Sequence, residues 1–96
     1  MPKAYVLVDI EVTDPVAYDR YKALALPAVT QYGGTYIVRG GATGVLEGEW
    51  KPNRIVVLEF PDVDAARRWY DSPEYAVAKR EREGAANGKI IVVEGA

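Results

Sequence analysis

The sequence predicts an α+β fold in which helices cover one side of a four-stranded antiparallel sheet. Three observations carry this. Stretches 4–12, 35–39, 54–60 and 89–94 are rich in β-branched residues. Helical stretches opening at Asp14-Pro15 and at Pro61-Asp62 separate the first strand from the second and the third from the fourth. Between the second and third strands lies only irregular sequence. The order strand, helix, strand, strand, helix, strand, closed by right-handed crossovers, is the ferredoxin-like βαββαβ arrangement. At 96 residues the chain is read as a single domain, 1–96, too small for a deeply buried monomeric core.

Each element has its own signature. In AYVLVDIEV, 4–12, Val6, Val8, Ile10 and Val12 share one face, and Tyr5, Leu7, Asp9 and Glu11 the other. Asp14 is a good N-cap and Pro15 suits the first helical position. Tyr18, Tyr21 and Ala25 then form a helical stripe, with Ala17, Leu24 and Ala28 beside it. Pro27 is expected to kink this helix, and Gly33-Gly34 to stop it. TYIVR, 35–39, is the second strand. Segment 40–53 is irregular, with VLEGEW at 45–50 as a short extended arm, and RIVVLEF, 54–60, is the third strand. The second helix starts in DAARRWYD, and Ser72-Pro73 of SPEY caps a second turn or a separate short helix. Gly84 or Gly88 ends it, and KIIVVE, 89–94, is the last strand.

Composition removes several chemistries. There is no cysteine and no histidine, so disulfides, thiol nucleophiles, imidazole ligation and a histidine base are excluded. Twelve basic against fourteen acidic residues leave no basic footprint for nucleic acid. The KREREG run at 79–84 mixes signs as a solvated helix face does. No apolar run approaches the roughly 18 residues of a membrane span, and the N-terminus reads as a strand, not a signal peptide. A cytoplasmic protein without membrane, metal or cofactor is expected.

Helices on one face leave the other uncovered, with Tyr5, Leu7 and Asp9 of the first strand beside Ile55, Val57 and Glu59 of the third. Such a face is expected to pair with a second copy, sheet to sheet, in a twofold homodimer.

AYVLVDIEVTDPVAY, YGGTYIVRGG, VLEGEW and RIVVLEFPDVDAARRWYDSPEY together resemble a family of small bacterial proteins known as a domain of unknown function. The resemblance spans nearly the whole chain. That family looks like part of the dimeric α/β-barrel superfamily, with antibiotic-biosynthesis monooxygenases, muconolactone isomerases and chlorite-dismutase-like haem proteins. The resemblance implies a ferredoxin-like subunit and a sheet-to-sheet dimer, and no established reaction. The haem branch would lack its usual proximal histidine here.

YGGTYIVRGG offers three readings. Its first glycine pair follows a helix and its second follows a strand, whereas a phosphate loop runs from strand through glycines into a helix. GGATG also lacks the lysine and Ser/Thr of that motif, so the phosphate reading fails. A helix stop with a strand exit, and a glycine rim beside a ligand, stay open. Arg39 can clamp a carboxylate or pair with Glu47, Glu49 or Glu59. Asp9 and Glu59 interrupt neighbouring apolar strands. Two close carboxylates in a dry cavity would raise one pKa and supply an acid or base, or else each pairs with Arg39 or Arg54. Trp69 and Tyr75 either pack the core or wall a pocket. Ser72 has no histidine partner and reads as a cap. Trp50 can anchor on a partner subunit.

The expected protein is therefore a homodimer that binds a small organic molecule. Tyr5, Tyr36, Arg39 and Trp69 are the ligand-binding candidates, and Asp9 and Glu59 the catalytic ones. A cofactorless monooxygenase or isomerase, and a structural or regulatory dimer, are the alternatives.

Overall fold

A computed structural model describes residues 2–96. The elements are β1 (Ala4–Val12), α1 (Pro15–Gln31), β2 (Thr35–Arg39), β3 (Arg54–Phe60), α2 (Val63–Tyr70), α3 (Pro73–Arg82) and β4 (Ala86–Glu94). They form one open sheet in the order β2-β3-β1-β4, with all three pairings antiparallel. This is the predicted ferredoxin-like topology, with the second helix divided in two. The break falls at Asp71-Ser72, where the Ser72 hydroxyl donates to Trp69 O at 2.7 Å and accepts from Tyr75 N at 3.0 Å. One side chain thus closes α2 and caps α3.

The other caps follow the same chemistry. Asp14 Oδ1 accepts from Ala17 N at 3.2 Å, with Pro15 as the first residue of α1, and Asp62 Oδ1 accepts from Ala65 N at 2.7 Å. The helix α1 continues through Pro27 to Gln31. It ends where Gly33, at φ +84°, turns the chain so that Gly34 N donates to Val29 O at 2.9 Å. β4 begins three residues earlier than KIIVVE predicts, because β1 is long enough to pair Val12 with Ala86. Segment 40–53 contains no helix or strand.

Val6, Ile10, Val56, Leu58 and Phe60 turn inward beneath the helices. There Val6, Val56, Leu58 and Phe60 meet Ala25, Ala28 and Val29 of α1, Ala65, Ala66 and Trp69 of α2, and Tyr75 and Ala78 of α3. Trp69 sits at the centre, with ring centroids 4.3 Å from Tyr75 and 5.4 Å from Phe60. Alanines let α1 and α3 lie close together, and the aromatics fill the space over the sheet. The predicted α1 stripe holds for Tyr18, Ala25 and Ala28, while Leu24 faces outward.

The molecule is only 16 Å along its shortest axis, one helix layer on one sheet layer. Register places Val38, Val57, Leu7 and Ile91 side by side across all four strands on the open face. Ile91 is 60% exposed there. No helix among the described residues is long and apolar enough to cross a membrane.

Candidate functional site

The site begins with an irregularity in β2. Tyr36 pairs with Leu58 and therefore faces the helices. In a regular strand Arg39, three residues on, would face the opposite side. A bulge at Ile37 absorbs one residue, so Val38 pairs with Val57 and Arg39 with Val56. Arg39 returns to the helix side, its Cζ 4.6 Å from the centroid of the Tyr36 ring. This cation–π contact owes its existence to the bulge.

The two side chains border a cavity of about 30 Å³ between the sheet and the helices, where Tyr18, Tyr21, Arg54, Trp69 and Tyr75 complete much of the wall. On a scale of roughly 10–15 Å³ per water, it has room for about two waters or a carboxylate group. Lys22 also reaches it, and no carboxylate lines it. Arg54 Cζ lies 5.9 Å from the Tyr18 centroid and Arg82 Cζ 5.7 Å from that of Tyr21. Tyr21 and Tyr75 share a hydrogen bond of 2.8 Å. Burial pushes the Tyr36 phenol up to about 12 and raises Tyr75 above the usual phenol range. Tyr21 is raised further, by burial and then by Tyr75. All three are hydrogen-bond donors at neutral pH.

The six candidate residues fall into two groups. Tyr36, Arg39 and Trp69 meet around this cavity, while Tyr5, Asp9 and Glu59 belong to the open face of the sheet. Asp9 and Glu59 do share a face, as the alternation predicts, but they are not close. Asp9 pairs with Ile55 and Glu59 with Tyr5, four residues along β1, or roughly 13 Å at strand rise. The expectation of two carboxylates in one cavity is corrected by this register. Neither pairs with Arg39 or Arg54. Glu59 binds Lys3 at 3.1 Å. Asp9 ties down the 40–53 arm, accepting from Asn53 N at 2.9 Å and from Trp50 Nε1 at 3.3 Å. Arg39 in turn makes no ion pair with Glu47, Glu49 or Glu59 among the described residues.

Of the residues that join Tyr36 here, the sequence offered Tyr75 as core or pocket wall and Tyr18 and Tyr21 as sheet-facing packing, and it did not place Arg54 in the site. The signal was present in part: Tyr18, Tyr21 and Ala25 lie on one stripe, which had to face the sheet. Arg54 opens the apolar strand β3 at an even position, on its inward face. A second hollow of about 410 Å³ lies on the open face, where Leu7, Asp9, Trp50, Ile55, Lys89 and Ile91 meet. Among the described residues no three acidic side chains cluster as metal ligands would.

Fold and site together define an α+β ferredoxin-like domain with an aromatic, cation-lined cavity under its helices. The chain belongs to the DUF1330 family, a domain of unknown function, whose model matches residues 3–96. Among curated proteins none matches it. Solved structures share the fold at low identity. A protein of unknown function from Rhodopseudomonas palustris is 19% identical with a TM-score of 0.79, covering 99% of this chain and 83% of that one. SnoaB, a cofactor-independent oxygenase from Streptomyces nogalater, is 15% identical with a TM-score of 0.67, covering 97% and 92%. A dimeric protein of unknown function from Bacteroides fragilis is 18% identical with a TM-score of 0.62, covering 96% and 95%.

Proposed function

We propose that this protein is a homodimer that binds a small organic molecule at the cavity beneath its helices. The observation that carries the reading is the Ile37 bulge. It spends one residue of β2 to bring Arg39 onto Tyr36 beside a cavity walled by Trp69 and free of carboxylates. A strand serving only the core has no need of an arginine on its inner face. Pairing through the open face is supported by the apolar row Val38, Val57, Leu7 and Ile91, which a second sheet would cover. Such pairing would generate the dimeric barrel.

Cofactorless oxygenation of an electron-rich aromatic is the second reading. The aromatic walls favour it, and the shared fold with a cofactor-independent oxygenase accords with it. An isomerase using Asp9 would work instead from the open-face hollow. Asp9 or Glu59 paired to arginine would favour a purely structural dimer, and within the subunit both have other partners.

Native mass spectrometry of gently purified protein tests the leading reading. A dimer carrying a reproducible extra mass is expected, and that mass should be lost in Arg39→Ala. A monomer at micromolar concentration overturns the pairing, and an Arg39→Ala dimer that keeps its added mass removes Arg39 from the site. Oxygen uptake with electron-rich phenols tests the oxygenase reading, which fails if none is consumed above the buffer rate.

A further inference from the structure

The polar groups around the cavity are unbalanced. Arg39 and Arg54 make no ion pair or side-chain hydrogen bond among the described residues, and both are held on tyrosine rings instead. The Nε of Arg54 and the Nε1 of Trp69 are buried without an acceptor among the described residues, and Trp69 is only 2% exposed. Proton counting gives one more. Arg82 Nη1 donates to the Tyr75 hydroxyl at 3.4 Å, and one of Tyr21 and Tyr75 donates to the other. Whichever donates, one phenolic hydrogen of the pair has no acceptor among the described residues. Burial keeps these phenols protonated at neutral pH. Buried donors without acceptors cost free energy, and an arrangement of donors alone is complementary to an acceptor-only ligand.

Resting on the reading that a small molecule binds here, we propose that the ligand is an organic carboxylate whose anionic group enters the cavity and is held by Arg54, with Arg39 at its opening. The geometry around Arg54 fits an anchor. Gly40, at φ +73°, donates its N–H to Ile55 O at 2.8 Å and lays bare backbone against the guanidinium. A Cβ at Gly40 would lie 2.6 Å from Arg54 Cζ and collide with Nη1. The cavity admits the carboxylate and not a ring, so the organic body lies outward, where exposed Arg39 and half-buried Lys22 stand. Lys22 is already paired with Asp19 at 3.1 Å, which leaves the arginines as the unpaired cations. A free carboxylic acid is already an anion in water at neutral pH, and with no carboxylate in the lining nothing repels it.

The test uses the 96-residue chain with Trp50→Phe, so that the single indole N–H resonance belongs to Trp69. Sodium benzoate and benzyl alcohol present the same ring with and without the charge. Benzoate is expected to shift the indole resonance saturably, and to bind roughly ten- to hundredfold more tightly than the alcohol, as a charge-assisted pair should. Arg54→Gln should remove most of that preference and leave the alcohol unchanged. Lys22→Gln, which removes the already paired cation at the opening, should leave the benzoate preference within about twofold, and Arg54→Lys, which keeps the charge and loses the planar fork, should weaken benzoate should Arg54→Gln not fold. Equal binding of both probes overturns the carboxylate assignment and leaves small-molecule binding standing. No shift with either probe at tens of millimolar overturns both. A full benzoate preference in folded Arg54→Gln removes Arg54 as the anchor.

Discussion

Gly34→Ala should destabilise the fold through packing alone. Gly34 does not occupy the left-handed region, so its backbone conformation is open to alanine. A Cβ there would stand 2.7 Å from Phe60 Cε1, Phe60 Cζ and Val29 Cγ1. Ordinary van der Waals contact begins near 3.4 Å, so these side chains would have to yield by about 0.7 Å. Neither yields easily, since both are buried and Phe60 packs at a tilt against Trp69. Overpacking of this kind costs about 1–3 kcal/mol. Reduced freedom of the unfolded chain offsets about 0.4–1 kcal/mol of it. Mid-range values leave a net loss of about 1.3 kcal/mol, which lowers Tm by roughly 5–10 °C for a domain of this size. Circular-dichroism melts at one fixed protein concentration measure it, because Tm of any self-associating chain depends on concentration. Gly41→Ala is the control: nothing lies within 4 Å of its Cβ, and it should stay within about 0.5 kcal/mol of the parent. A Gly34→Ala protein that melts with the Gly41→Ala control would refute the close-packing account of the first glycine pair.

Leu7→Glu, placed at the middle of the open-face row, should convert the proposed dimer to monomer in sedimentation velocity while the far-ultraviolet spectrum stays native; an unchanged dimer would move the interface elsewhere. Ser72→Ala removes the shared cap between α2 and α3 and should cost about 0.5–2 kcal/mol in urea melts; an unchanged midpoint would show that water replaces the hydroxyl. Tyr36 holds its proton to about 12 when folded and to its ordinary 10.0 when unfolded. Above pH 10 the unfolded chain therefore binds fewer protons than the folded one, and stability falls as pH rises from 10 to 12. Tyr36→Phe should flatten that slope by up to one proton; an identical alkaline slope in the variant would place the titration elsewhere.

The three caps at Asp14, Asp62 and Ser72 were legible because each is a local bargain between one side-chain oxygen and an unpaired N–H a few residues on. The two faces of β1 and β3 were legible for a related reason. Alternation needs no partner to be read, and burial follows it from Ala4 to Leu7 and from Val56 to Phe60. The division of the second helix showed only as an alternative, since Ser72-Pro73 fits both a new helix and an added turn. The site was legible in pieces. Tyr36, Arg39 and Trp69 converge, whereas Tyr5, Asp9 and Glu59 do not join them.

What the sequence determined by itself is everything set by neighbours along the chain: the capped helices, the strand faces, the ferredoxin-like order of elements and the exclusion of histidine and cysteine chemistry. What only the tertiary structure decided is everything set by register. Pairing of β1 with β3 placed Asp9 and Glu59 four residues apart on their shared face. A one-residue bulge against β3 placed Arg39 on the side opposite to the one its position in TYIVR implies. The physical reason is the period of two along a strand. A single unpaired residue reverses every side chain after it, and whether a residue is left unpaired depends on the strand alongside, not on the residue itself.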